Sequence, residues 1–196
     1  MKKIILLFIV AFVGVSSLAY AKEPMDVVKK NIEEMITILK NTDYKKDESL
    51  QTKKFEEVVD TVFDFEEISR RSLGGVYKNF TPEQFKEFTS LFSNLLKNTY
   101  LKKFREKYNN QKVEYLKQEM KGDSKALIMT NIVGGGIETP IDYSMKRNND
   151  IWKIYDIKIE GISLVQNYRS QFTGKKSSAK LIEQLREMIR QLEVKK

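Results

Sequence analysis

Few residues of this 196-residue chain have types and spacings that could do chemistry. Asp142, Asp156 and Glu160 fall in stretches that read as strand, where two of them can converge, and a carboxylate pair is what glycoside cleavage needs. Ser163 sits in Gly161-Ile162-Ser163-Leu164-Val165, which has the first half of a nucleophile elbow and lacks its second glycine. Ser177-Ser178-Ala179-Lys180 has S-x-x-K spacing without the companion motifs of the enzymes that use it. Gly134-Gly135-Gly136 has neither the lysine nor the serine or threonine of a phosphate loop, and no strand-to-helix pattern surrounds it. The chain has no histidine and no cysteine. That removes Ser-His-Asp and Cys-His sites and the usual ligands of zinc, iron and copper. No catalytic residue, metal site or cofactor is therefore expected. The simpler roles are a helix cap for Ser163, a turn for the glycines, and solvent or a partner such as Lys153, Lys158 or Arg169 for each carboxylate.

The N-terminus carries a clearer signal. Lys2 and Lys3 precede an apolar run, Ile4 to Val13, which continues through Val15 and Leu18 to the triplet Ala19-Tyr20-Ala21. A short positive region, an apolar core and a small-x-small site are the three parts of a secretory signal peptide. The run is shorter than the ~20 residues of a membrane-spanning helix. Residues 1–21 are expected to be cleaved after Ala21, leaving 22–196 as one exported domain. Without cysteine, burial alone must hold that domain together, which a chain of about 175 residues can manage. Net charge is +8, and loss of Lys2 and Lys3 takes it to +6. Such a surface favours anionic partners such as phosphate headgroups. An exported chain seldom meets nucleic acid, so none is expected as a partner.

The elements that would position these residues divide into helices, then strands, then helices. Pro24 can open a helix with Met25, Val28, Ile32, Met35, Ile36 and Leu39 on one face. A second helical stretch covers about Leu50 to Val62. Asp64 reads as an N-cap with Glu67 at the third helical position, flanked by Phe63 and Ile68 at staple positions; Gly74 can end that helix, and Arg70 and Arg71 complement its dipole. Thr81, Pro82 and Gln84 mark the start of a helix running to about Tyr108, with Phe80 and Phe85 as its staple. The period then changes to two. Val113 to Met120, Lys125 to Val133, Ile137 to Met145 and Ile151 to Ile162 read as consecutive strands with short turns, hence an antiparallel four-stranded sheet and an α+β fold. Ser163 can cap a helix with Gln166 at its third position, and Ser177 or Ser178 can start a last one carrying Leu181, Leu185, Met188, Ile189 and Leu192.

Trp152, Asp156, Glu160, Gly161 and Ser163 spell W-x-x-x-D-x-x-x-E-G-x-S, which runs on into Asn167-Tyr168-Arg169-Ser170-Gln171-Phe172. Upstream stand Phe63-Asp64-Phe65, Leu73-Gly74, Thr81-Pro82-Glu83-Gln84 and Phe88 to Tyr100 in the same order. Together these motifs resemble the MlaC family, the toluene-tolerance type, over essentially the whole mature chain. Tyr77 stands where many members carry tryptophan.

The resemblance implies a periplasmic carrier that shuttles phospholipid between an outer-membrane lipoprotein–porin complex and an inner-membrane ABC transporter with an MCE-domain subunit. It implies a curved sheet packed on helices, a nuclear-transport-factor-like cone with acyl chains between its layers. A monomer is expected, and another hydrophobic cargo such as a hopanoid is the alternative. Pattern selects the individual residues, and the resemblance only the region. From the long helix these are Phe88, Phe92, Leu95 and Leu96; from the sheet, Ile141, Tyr143, Tyr155 and Ile157. Val76, Tyr77, Val165 and Tyr168 are expected to close the mouth, with Arg169 meeting phosphate there. Ordinary core packing competes for every apolar one of these. Two acyl tails carry about 30 methylenes, so exposing them would cost roughly 24 kcal/mol at ~0.8 kcal/mol each. A carrier must therefore hold an apolar pocket near the top of the ~300–1,000 Å³ range.

Overall fold

Helix starts in this chain are encoded as local caps, and the structure uses them. Thr81 Oγ1 accepts from the Gln84 amide at 3.2 Å, while Gln84 Oε1 accepts from the Thr81 amide at 3.1 Å. Asp64 accepts from the Glu67 amide at 2.9 Å, and Ser163 Oγ from the Gln166 amide at 3.0 Å. Each satisfies an amide that the first helical turn leaves unpaired. The structure, a computed structural model, describes residues 23–174 and 177–194. The leader 1–21, its cleavage site after Ala21 and the mature start at Lys22 lie outside the described residues.

The helices are α1 (Pro24–Lys40), α2 (Thr42–Lys46), α3 (Glu48–Val62), α4 (Phe65–Leu73), α5 (Pro82–Lys107), α6 (Leu164–Phe172) and α7 (Ser178–Val194), with a 3-10 segment at Gly74–Asn79. Periodicity did not reveal α2, which is five residues long and capped by Asn41. Among the described residues no helix is long and apolar enough to cross a membrane. The strands are β1 (Lys112–Met120), β2 (Lys125–Gly134), β3 (Ile137–Asn148), β4 (Ile151–Ile159) and β5 (Ile162–Ser163). They form one antiparallel sheet in chain order.

Two features depart from the four-strand expectation. The last long strand stops at Ile159 rather than Ile162, because Glu160 and Gly161 take positive φ, 50° and 81°, and reverse the chain. Ile162 and Ser163 then pair back onto Ile159 and Lys158 as a fifth strand. In addition, β4 carries a bulge: Ser144 faces Asp156 but Met145 faces Ile154, so Tyr155 is an extra residue. Residues opposite one another share a face. Ile154 therefore sits with Met145 and Ile157 with Tyr143, and the bulge keeps Ile154 and Ile157 on one side despite their odd spacing.

Buried side chains form separate clusters. A helical cluster joins α4, α5, α6 and α7 around Phe88, Phe92, Leu95, Phe172 and Leu185. A sheet cluster joins Ala126, Ile128, Tyr143, Met145, Trp152 and Ile154 to Val28 of α1 and Val62 of α3. A third joins α1, α3 and Leu101 of α5. Phe63, at the end of α3, packs against all three and is itself only partly buried.

Candidate functional site

The sheet face that meets the helices is apolar along its length but unevenly covered. Its rows follow from the register: Ala126–Met145–Ile154, then Ile128–Tyr143–Ile157, then Thr130–Ile141–Ile159–Ile162. Met145 is 0% exposed and Tyr143 9%, whereas Ile137, further along β3 on the same side, is 66% exposed and Ile162 67%. Ile132, Ile141, Ile157 and Ile159 lie between these extremes. The apolar face is thus sealed beneath α1 and α3 at one end and opens at the other, beside the β2–β3 hairpin and the start of α6.

Among the described residues the long helix α5 makes its main contacts with α7, α4 and α3. A polar cleft of about 420 Å³, lined in part by Lys40, Lys45, Gln51 and Arg105, opens between the helices. A shallow hollow of about 390 Å³ lies on the outer side of α5 at Glu83, Lys86 and Leu91. Neither touches the sheet.

The residues selected from sequence separate into groups. Val76, Tyr77, Phe88, Phe92, Leu95, Leu96, Val165 and Tyr168 all belong to the helical cluster. Phe88 and Phe92 are 0% exposed, and Phe172 packs edge-to-face on both rings at 5.5 Å. These two and Leu95 are core. Tyr77 packs on Phe85 at 4.8 Å, near the start of α5, with the Arg70 guanidinium 5.8 Å from its ring. Ile141, Tyr143 and Ile157 belong to the sheet cluster.

Two of the selected residues have other partners. Tyr155, displaced by the bulge, lies under the Arg71 guanidinium at 4.2 Å. Arg169, expected to meet phosphate, donates through Nε and Nη2 to the Arg71 carbonyl at 2.8 and 2.6 Å. In the sequence Tyr100 stands only as the end of the Phe88 to Tyr100 stretch. It packs on the helical cluster near Tyr168, and burial raises its pKa. Burial also pushes Tyr168 up to about 12, with Tyr100 adding to the shift. Burial pushes Tyr143 up strongly, partly offset by a hydrogen bond with Thr130.

The residues with catalytic resemblance are engaged structurally. Asp156 accepts from the Ser163 hydroxyl at 2.6 Å and from the Val165 amide at 3.0 Å. Ser178 donates to Gln84 Oε1 at 2.9 Å. Asp142 faces Lys158 across the sheet, and Glu160 sits in the reversing turn, its amide bonded to the Pro140 carbonyl.

A family model described as MlaC protein matches residues 29–193. The chain belongs to the MlaC family. It is 26% identical over 156 residues to toluene tolerance protein ttg2D of Pseudomonas putida, covering 78% of this chain and 72% of the relative. It is 27% identical over 107 residues to the intermembrane phospholipid transport system binding protein MlaC of Haemophilus influenzae, covering 52% and 50%. Its fold matches a phospholipid-binding protein of Ralstonia solanacearum solved with a phospholipid, with a TM-score of 0.78 and 23% identity over 87% of this chain and 99% of that one.

Membership of the MlaC family gives the signature residues physical roles. Trp152 is buried in the sheet cluster. Asp156 and Ser163 together hold the start of α6. Glu160 and Gly161 make the reversal that brings Ser163 back to Asp156. The motif builds the corner where the apolar face opens.

Proposed function

We propose that this chain is an exported, periplasmic carrier of phospholipid that shelters acyl tails between the curved sheet and the helical layer. One observation carries the reading: a sheet face with a row of apolar side chains, sealed at Met145 and open at Ile137 and Ile162. Membership of the MlaC family and the names of its relatives support the cargo. Tail burial favours carrier and bilayer alike, so neither direction gains from it. Direction belongs to partners: an inner-membrane MCE-domain ABC transporter on one side and an outer-membrane lipoprotein–porin complex on the other. The carrier works as a monomer, its mature chain starting at Lys22. The lining residues are Ile141, Tyr143, Ile157, Val165 and Tyr168, joined by Ile159 and Tyr100.

Organic extraction and mass spectrometry of the purified protein test the reading, with phospholipid near one molecule per chain as the expected result. Repeated purification free of lipid would sink it. N-terminal sequencing of the exported protein checks the leader, and recovery of Met1 would overturn that part.

A further inference from the structure

The helices enclose a second recess, away from the sheet. The cleft of about 420 Å³ opens between the end of α1, the short helix α2, the first turn of α3 and the end of α5. Three cations line it, Lys40, Lys45 and Arg105, against one carboxylate, Glu48, which leaves a net charge of +2. Lys40 and Lys45 are in no ion pair among the described residues. We infer that this cleft binds a small organic dianion of the dicarboxylate class, at a place separate from any acyl chain.

The polar groups of the cleft are held in different ways. Arg105 is anchored: Nη1 donates to Glu48, and Nη2 donates to Thr52 Oγ1 at 2.8 Å. Its buried Nε has no partner. A buried charged group short of acceptors is costly, and an anionic ligand beside it offsets that cost. Lys40 and Lys45 are exposed, so their ammonium groups can turn toward a ligand. Gln51 is only 4% exposed, and its amide reaches the Ile38 carbonyl at 3.4 Å, longer than a well-formed bond. The wall at the end of α5 is braced by Gln111, which accepts from the Asn109 amide at 2.6 Å and donates to the Lys107 carbonyl at 2.8 Å.

These features select the ligand. The surplus of positive charge favours a dianion over a monoanion and rejects a cation. Glu48 already seats one carboxylate on Arg105, so the guanidinium is placed for that group. The volume of about 420 Å³ is of small-molecule size, more than a bare ion fills. Charged and amide walls offer an acyl chain nothing.

Calorimetric titration of the purified protein with succinate tests this at low ionic strength, because salt screens such charges. Saturable binding with a Kd of about 1 mM or tighter is expected, with acetate about tenfold weaker. Lys40→Ala/Lys45→Ala should weaken succinate about tenfold, while its recovered lipid equals wild type. Lys78→Ala/Lys180→Ala removes the same charge outside the cleft and should change nothing. Glu48→Gln should tighten succinate by about threefold, the scale of one exposed ion pair, because the competing carboxylate is gone. A purely structural ion pair would give no tightening. Absence of saturable binding, equal affinity for acetate, equal losses in the two lysine pairs, or no tightening in Glu48→Gln overturns the site and leaves the carrier standing. Inorganic phosphate bound as tightly as succinate overturns the dicarboxylate in favour of any dianion. Lipid lost from Lys40→Ala/Lys45→Ala overturns the separation of the two places.

Discussion

Arg169 grips the backbone carbonyl of Arg71 with two nitrogens, Nε at 2.8 Å and Nη2 at 2.6 Å, across 98 positions of sequence. That carbonyl belongs to the last turn of α4, which has no intrahelical partner for it. The Arg71 side chain meanwhile lies over Tyr155 and pairs with Glu67. One residue thus ties α4 to both α6 and β4. Arg169→Ala is expected to lose about 1–3 kcal/mol, and Arg169→Lys to recover only part, since an ammonium cannot reproduce the planar fork. Urea midpoints measure this. Full rescue by lysine would contradict the two-nitrogen grip.

Asp156, Ser163 and the amides of Val165 and Gln166 form one capping network. Ser163→Ala is expected to cost about 1 kcal/mol and Asp156→Ala about 1–3 kcal/mol. Because each holds the other, the double variant should cost less than the sum. Strict additivity in denaturation would show that the two act independently.

The local parts of this design were legible in sequence, and the non-local parts were not. Thr81, Asp64 and Ser163 could be read because a cap acts three residues away within one chain segment. Tyr155 was grouped with Ile157 because strict alternation puts them on one face; the bulge at Tyr155 breaks that alternation, and no residue type marks it. Arg169 bonds a backbone carbonyl, which no side-chain pattern reveals. The period of α5 told that Phe88 and Phe92 are buried, but not that α6 and α7 bury them rather than the sheet. Tyr100 carried no signal beyond its place at the end of the Phe88 to Tyr100 stretch.

Glu67 makes stability depend on acid. Burial pushes its carboxyl up, but the hydrogen bond from Arg71 and the charges of Arg71, Lys146 and Arg70 outweigh this and hold it below 4.5. A carboxyl depressed by folding adds stability above its unfolded pKa and loses it as pH falls through the folded value. Glu67→Gln is expected to cost about 1–2 kcal/mol near pH 7, a value kept modest because both guanidiniums reach solvent. The gap to wild type should narrow below pH 4.5. Urea midpoints near pH 7 and about pH 3 check it. A gap equal at both would remove the ion pairs as its cause.

Ile157 and Phe92 separate lining from packing. Phe92 is fully enclosed by Phe88, Tyr168 and Phe172, so Phe92→Ala is expected to cost about 3–5 kcal/mol through the cavity it leaves. Ile157 is only partly buried, opposite Tyr143 on the sheet face that opens toward Ile137 and Ile162. Ile157→Asp should therefore disturb folding by about 1 kcal/mol or less. A bound acyl chain, however, would strip water from that carboxylate without offering it a partner, a cost that cancels much of the gain from tail burial. Lipid recovered by extraction should fall sharply in Ile157→Asp, while its urea midpoint stays close to wild type. Phe92→Ala should show the reverse order of effects below its unfolding transition. If Ile157→Asp keeps its full lipid complement, the tails do not run along this sheet face, however apolar it is.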